Sequence, residues 1–96
     1  MIMVKTDLQW SIILRMRKLR KFHGISQAAL AKMLQISIGQ VGNTESRRYP
    51  HKYTLKQMVT FCDALGIEIE ELFYPKVQPS KVTKTELITK IIEYQN

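Results

Sequence analysis

Residues 26–45 read SQAALAKMLQISIGQVGNTE, and this stretch limits the fold more than any other. Ser26 and Ser37 are residues of the type that caps a helix, because a short side-chain oxygen accepts one of the free N–H groups of the first turn. After Ser26, Ala28, Ala29 and Ala31 keep a short helix slim, while Leu30 and Met33/Leu34 mark its buried face. Gln35-Ile36 form a break, and a second short helix follows, with Ile36, Val41 and Thr44 turned inward. Helix, three-residue break, helix is the outline of a helix-turn-helix, in which one helix is braced across another.

The flanking segments are also helical by pattern. Thr6 or Asp7 can cap a first helix whose Leu8, Ile12, Met16 and Leu19 recur at a helical period, with Phe22 near the same face. Arg15, Arg17, Lys18 and Lys21 fall largely off that stripe, and Gly24 stops the helix. SRRYPHKY, residues 46–53, reads as a loop mixing basic and aromatic side chains. Thr54 caps a fourth helix carrying Leu55, Met58, Val59, Cys62 and Leu65, with Phe61 beside them, and Gly66 ends it. Glu68–Phe73 make a short fifth helix. Pro75 and Pro79 bracket a linker, and Thr83 or Thr85 opens a last amphipathic helix bearing Leu87, Ile88, Ile91 and Ile92. No strand pattern and no repeat is present, so the expectation is all-α.

Ninety-six residues suit one small fold. A single cysteine, Cys62, rules out an internal disulfide and reads as a small buried apolar side chain. The apolar run Ile12-Ile13-Leu14 is too short for a signal peptide, and no stretch approaches the ~20 apolar residues that cross a bilayer. A soluble, cytoplasmic chain is expected, with no membrane partner. The charge is lopsided. Residues 1–48 hold nine Lys/Arg against two acids, whereas residues 49–96 hold six Lys against six acids. The entire net charge of +7 therefore lies in the half that holds the helix-turn-helix. Such a half favours a polyanion, either nucleic acid or an acidic membrane surface. The apolar stripe of the first helix is better used in a core than on a membrane. No Gly-rich phosphate loop and no His/Asp/Glu group at metal-ligand spacing appears, and His23 and His51 read as surface residues. No enzyme activity, cofactor or metal is expected.

The stretch from Met16 to Phe73, with MRKLRKFHGISQAALAKML at its front and LGIEIEELF at its back, resembles the Cro/C1-type helix-turn-helix family of phage and bacterial repressors. Leu19-Arg20, Gly24, Ser26-Gln27, Leu30-Ala31, Val41, Glu45 and Leu65-Gly66 all fall at family spacing. The resemblance implies a five-helix lambda-repressor-like DNA-binding domain over residues 7–74. Residues 75–96 would then be a linker and a C-terminal amphipathic helix, used either for dimerisation or for internal packing.

The same resemblance assigns roles. It puts the third helix in the major groove of double-stranded DNA, with Ser37, Ile38, Gly39, Gln40 and Asn43 facing base edges. An amide such as that of Gln40 or Asn43 suits the N6/N7 edge of adenine, and Ile38 suits a thymine methyl. Gln27, at the start of the second helix, is a phosphate contact, as are Arg47, Arg48 and Lys52 in the following loop, which Tyr49 and Tyr53 extend. Arg20 and Glu45 form a structural ion pair. The implied activity is sequence-specific transcriptional regulation, as a repressor and a homodimer. The alternative is an antitoxin that binds both a toxin and its own promoter.

Four positions and the length of one loop depart from the family pattern. Gln35 stands where a left-handed glycine is usual, Gly39 and Gly42 interrupt the third helix, Thr44 replaces a larger apolar residue, and the loop after Glu45 is longer. A soft third helix that firms on DNA is the expectation.

Overall fold

The computed structural model describes residues 4–96. Its helices run in the order α1 Asp7–Phe22, α2 Gln27–Leu34, α3 Ile38–Thr44, α4 Leu55–Leu65, α5 Glu70–Phe73, a 3₁₀ turn at Pro79–Lys81, and α6 Lys84–Gln95. No strand occurs among the described residues.

Local chemistry sets most of these boundaries. Thr6, Ser37, Thr54 and Thr83 each close the first turn of their helix in a capping box, with Gln9, Gln40, Gln57 and Glu86 as the reciprocal partners. Each box satisfies two N–H groups that a helix start otherwise leaves bare. Thr6 and Thr83, rather than Asp7 and Thr85, are the caps of α1 and α6. α5 begins at Glu70, two residues later than the sequence pattern implies.

Gly24 and Gly66 follow α1 and α4 in the left-handed conformation. So does Gln35, at φ 58° and ψ 44°, where a Cβ costs about 1–2 kcal/mol. Two backbone bonds offset that cost, Gln35 N–H to the Lys32 carbonyl and Ile36 N–H to the Ala31 carbonyl.

The core gathers Ile12, Ile13 and Met16 of α1, Leu30 and Leu34 of α2, Val41 of α3, Met58, Phe61 and Cys62 of α4, Leu72 and Phe73 of α5, and Tyr94 of α6. α2 lies across both α3 and α4, and α1 is covered by α5 and α6. The inward face of α1 is turned toward Gln9 and Arg20, both buried. Phe22, expected near that face, is therefore left 84% exposed at the end of the helix, edge-on to His23. On α4, Phe61 is fully buried while Val59 is exposed, since Val59 lies about 100° round the helix from Met58.

The last helix packs internally. Leu87 and Ile91 lie against the core and Tyr94 is enclosed in it. The Tyr94 hydroxyl donates to the Tyr53 carbonyl at 2.8 Å, and its own carbonyl accepts from Gln9 Nε2 at 2.6 Å. Ile88 and Ile92, one turn apart, remain 55% and 53% exposed.

Candidate nucleic-acid interface

α3 is anchored by its back. Val41 and Thr44 are buried, and Ile36 in the preceding turn packs against the core. The outward side carries Ile38, Gly39, Gln40 and Asn43, of which Ile38 is 55% exposed. Gly39 and Asn43 lie one turn apart on that side. The fold itself does not require either glycine. A Cβ at Gly42 would meet nothing within 4 Å, and one at Gly39 only Ser37 Oγ at 3.8 Å.

The N-terminal end of α3 is closed by its own residues. Gln40 N–H donates to Ser37 Oγ at 3.0 Å, and Ser37 N–H donates to Gln40 Oε1 at 3.0 Å. One lone pair of Gln40 Oε1 is thus occupied, leaving the other to accept and Nε2 to donate. A two-bond contact from Gln40 to adenine would share Oε1 with the Ser37 N–H. Among the described residues, Asn43 has no such engagement of its side chain, only bonds to its backbone carbonyl.

The other end of α3 is held by charge from elsewhere in the chain. Arg20 grips Glu45 with two bonds, Nε to Oε2 and Nη2 to Oε1, each 2.7 Å, and the two side chains are 7% and 4% exposed. Arg20 Nη1 also donates to the Ile25 carbonyl at 2.8 Å. Gln27 Nε2 donates to Glu45 Oε1 at 3.0 Å, and Arg17 Nε lies 3.8 Å from the same oxygen. Burial alone would raise the Glu45 pKa. The hydrogen bonds from Arg20 and Gln27 and the charges of Arg20 and Arg17 outweigh it and hold the carboxyl below its ordinary 4.5. The expected pair is thus a bidentate, buried one, with Gln27 and Arg17 gathered around it.

The residues expected at phosphates divide by how free they are. Arg48 is exposed and carries no ion pair among the described residues. Arg47 is exposed and paired with Asp7 at 2.7 Å, a surface pair of small worth that a phosphate can displace. Gln27 sits at the start of α2 and spends one of its two amide hydrogens on Glu45. Lys52 donates to the carbonyls of Tyr94 at 3.3 Å and Gln95 at 2.9 Å, so it is tied to the end of α6. Tyr49 is exposed, but Tyr53 is buried. Tyr53 is therefore not a surface contact. It stands under the loop as core, and its hydroxyl has no partner among the described residues. His23 and His51 are exposed. The Cys62 thiol is buried, and burial, with nearby acids added, pushes its pKa up to about 12, so it is protonated at neutral pH.

Comparison with known proteins decides the family. A family model described as a Cro/C1-type HTH DNA-binding domain matches residues 15–78, two thirds of the chain. The chain belongs to the Cro/C1-type helix-turn-helix DNA-binding family. No curated protein and no solved structure matched it. Within the matched segment, α2 and α3 form the helix-turn-helix. No helix among the described residues is long and apolar enough to cross a membrane.

Several residues that shape the site lie before or after the matched segment and carry no signal in the sequence. Lys5 reaches the end of α3 from ahead of α1. Gln9 and Tyr94 join the start of α1 to the end of α6. Gln27 and Arg17 were legible as a first-turn residue and a surface cation, but not as partners of Glu45. The spacing that connects them exists only after folding.

Proposed function

We propose that the chain is a sequence-specific double-stranded DNA-binding transcriptional repressor. The observation that carries this reading is the outward side of α3, where Ile38, Gly39 and Asn43 are presented while Val41 and Thr44 anchor the back. Ser37 and Gln40 stand at its leading end. Because neither glycine is needed for packing, their bare backbone is available for close approach to the floor of a groove. Asn43 is the amide free to read an adenine edge, and Ile38 the apolar contact for a thymine methyl. Arg47 and Arg48, with Gln27 at the flank, meet phosphates and set register without reading sequence, and the one hydrogen that Lys52 does not direct at α6 is left for a further phosphate.

The protein works as a homodimer on a two-fold site, with half-sites about 34 Å apart. One module offers few base contacts, so pairing supplies the affinity. Ile88 and Ile92 on the exposed flank of α6 are the apolar contact available for a second copy.

Titration of a labelled duplex at two salt concentrations tests the reading. Affinity should fall steeply, with a log–log slope near −0.9 for each phosphate contacted. Replacing Asn43 should relax base preference, whereas replacing Arg48 should weaken all duplexes alike. Absence of binding to any duplex at ~50 mM salt would overturn it.

A further inference from the structure

Lys5 lies ahead of α1 and outside the segment that matches the family, yet its side chain is not a surface charge. The residue is 1% exposed. Its ammonium group donates to the carbonyls of Thr44 at 2.6 Å, Ser46 at 2.5 Å and Asn43 at 3.4 Å. Three acceptors match the three hydrogens of an ammonium. The ring of Trp10 lies 5.4 Å away and covers the group from another side. Burial lowers the Lys5 pKa from its ordinary 10.5, while the carbonyl oxygens and the negative end of the α3 dipole favour the cation.

The need for such a group follows from α3 itself. The helix has seven residues, two of them glycine, and no basic residue in its last turn. Helices this short have little stability of their own, and the last carbonyls of a helix have no partner within it. Asn43, a base-reading position, contributes one of the carbonyls that Lys5 holds.

We propose that Lys5 is a positioning residue of the DNA-reading head, which closes the C-terminal end of the recognition helix and so sets the angle at which Asn43 is presented. This rests on the reading of α3 as the base-contacting helix. Lys5 does not touch DNA, because its hydrogens are already directed at carbonyls and no face of it is open to a phosphate.

The experiment uses the full chain and Lys5→Met, which keeps the apolar stem and removes the donors. The duplex is one selected by the unaltered protein from a random library, with a scrambled duplex beside it. The variant should lose amide protection at residues 42–46 while α1 and α4 keep theirs. Its affinity for the selected duplex should fall at least tenfold, its affinity for the scrambled duplex less than twofold, and the salt slope should not change. A slope reduced by about 0.9 with intact protection would make Lys5 a phosphate contact and overturn the proposal. So would unchanged protection and unchanged selectivity.

Should Lys5→Met fail to fold, an amine-reactive label on the unaltered protein decides the point. Lys5 should react far more slowly than Lys18, and equal rates would refute the buried clamp. If no duplex binds the unaltered protein, the DNA reading fails, while exchange and labelling still judge the clamp at the end of α3.

Discussion

The two ends of α3 are built on different principles. The leading end is closed by Ser37 and Gln40, three positions apart, through bonds that any short peptide could form. The trailing end is closed by Lys5, Arg20 and Gln27, of which Lys5 is 39 residues from its Thr44 partner and Arg20 is 25 residues from Glu45. A local cap sets where a helix starts. A distant clamp sets where that helix points relative to the rest of the molecule. A reading head requires both, since base contacts depend on angle as well as on the presence of a helix.

Breaking the trailing end should have the largest consequence. Arg20→Met strands the Glu45 carboxylate in a buried site, and loss of one partner of such a pair typically costs about 3–5 kcal/mol. Denaturant unfolding of the variant should show a loss of that order and a transition lost across the whole chain. The same pair gives the unaltered protein an acid limit. The folded-state pKa of Glu45 lies below its ordinary 4.5, so its stabilisation is complete above that value and disappears as pH falls through the lower folded-state value. Arg20→Met should show a smaller loss of stability on acidification than the unaltered protein. An equal loss would assign the acid limit to other carboxylates.

The leading end should be cheaper to break. Ser37→Ala removes one cap and should cost about 1 kcal/mol. Faster amide exchange should be confined to Ile38–Gln40, and unfolding of α4 should be unaffected. If Ser37→Ala destabilised the chain as much as Arg20→Met, the contrast between local and distant closure would fail.

The smallest effect sharpens the contrast between stability and function. Gly39→Ala adds a methyl that meets nothing tighter than Ser37 Oγ at 3.8 Å. It should raise stability by about 0.4–1 kcal/mol. The same methyl stands on the outward side of α3, the side proposed to face DNA, and should weaken duplex binding. Opposite signs in thermal melting and in DNA titration would identify a glycine retained for approach to a groove. Equal signs would return it to a structural role.

Much of this was legible in residue order. The caps at Ser26, Ser37 and Thr54 and the stops at Gly24 and Gly66 follow from residues within a few positions of the backbone they serve, whereas the left-handed site at Gln35 was legible only through the family pattern. The Arg20–Glu45 pair was legible only through family spacing, because nothing local joins the two. Phe22 and Val59 were misread because a stripe of apolar residues indicates a face without fixing its rotation. Burial of Gln9 and Arg20 turned α1 by enough to leave Phe22 in solvent. Tyr53 was misread for a similar reason. Its basic neighbours suggested a surface loop, but the loop folds that ring under α6, where Tyr94 bonds its carbonyl.

Residue order by itself determined the six α-helices of the described residues, the break between α2 and α3, the concentration of positive charge in the first half and the family. Those are effects of short range or of simple counting. Only the tertiary structure decided that Lys5 closes α3, that Gln27 and Arg17 join the Glu45 pair, and that α6 is tied through Tyr94 and Lys52 to the loop after α3. The physical reason is that a hydrogen bond between distant residues has no signature in their spacing. It appears once the core has folded and brought an ammonium within reach of a carbonyl.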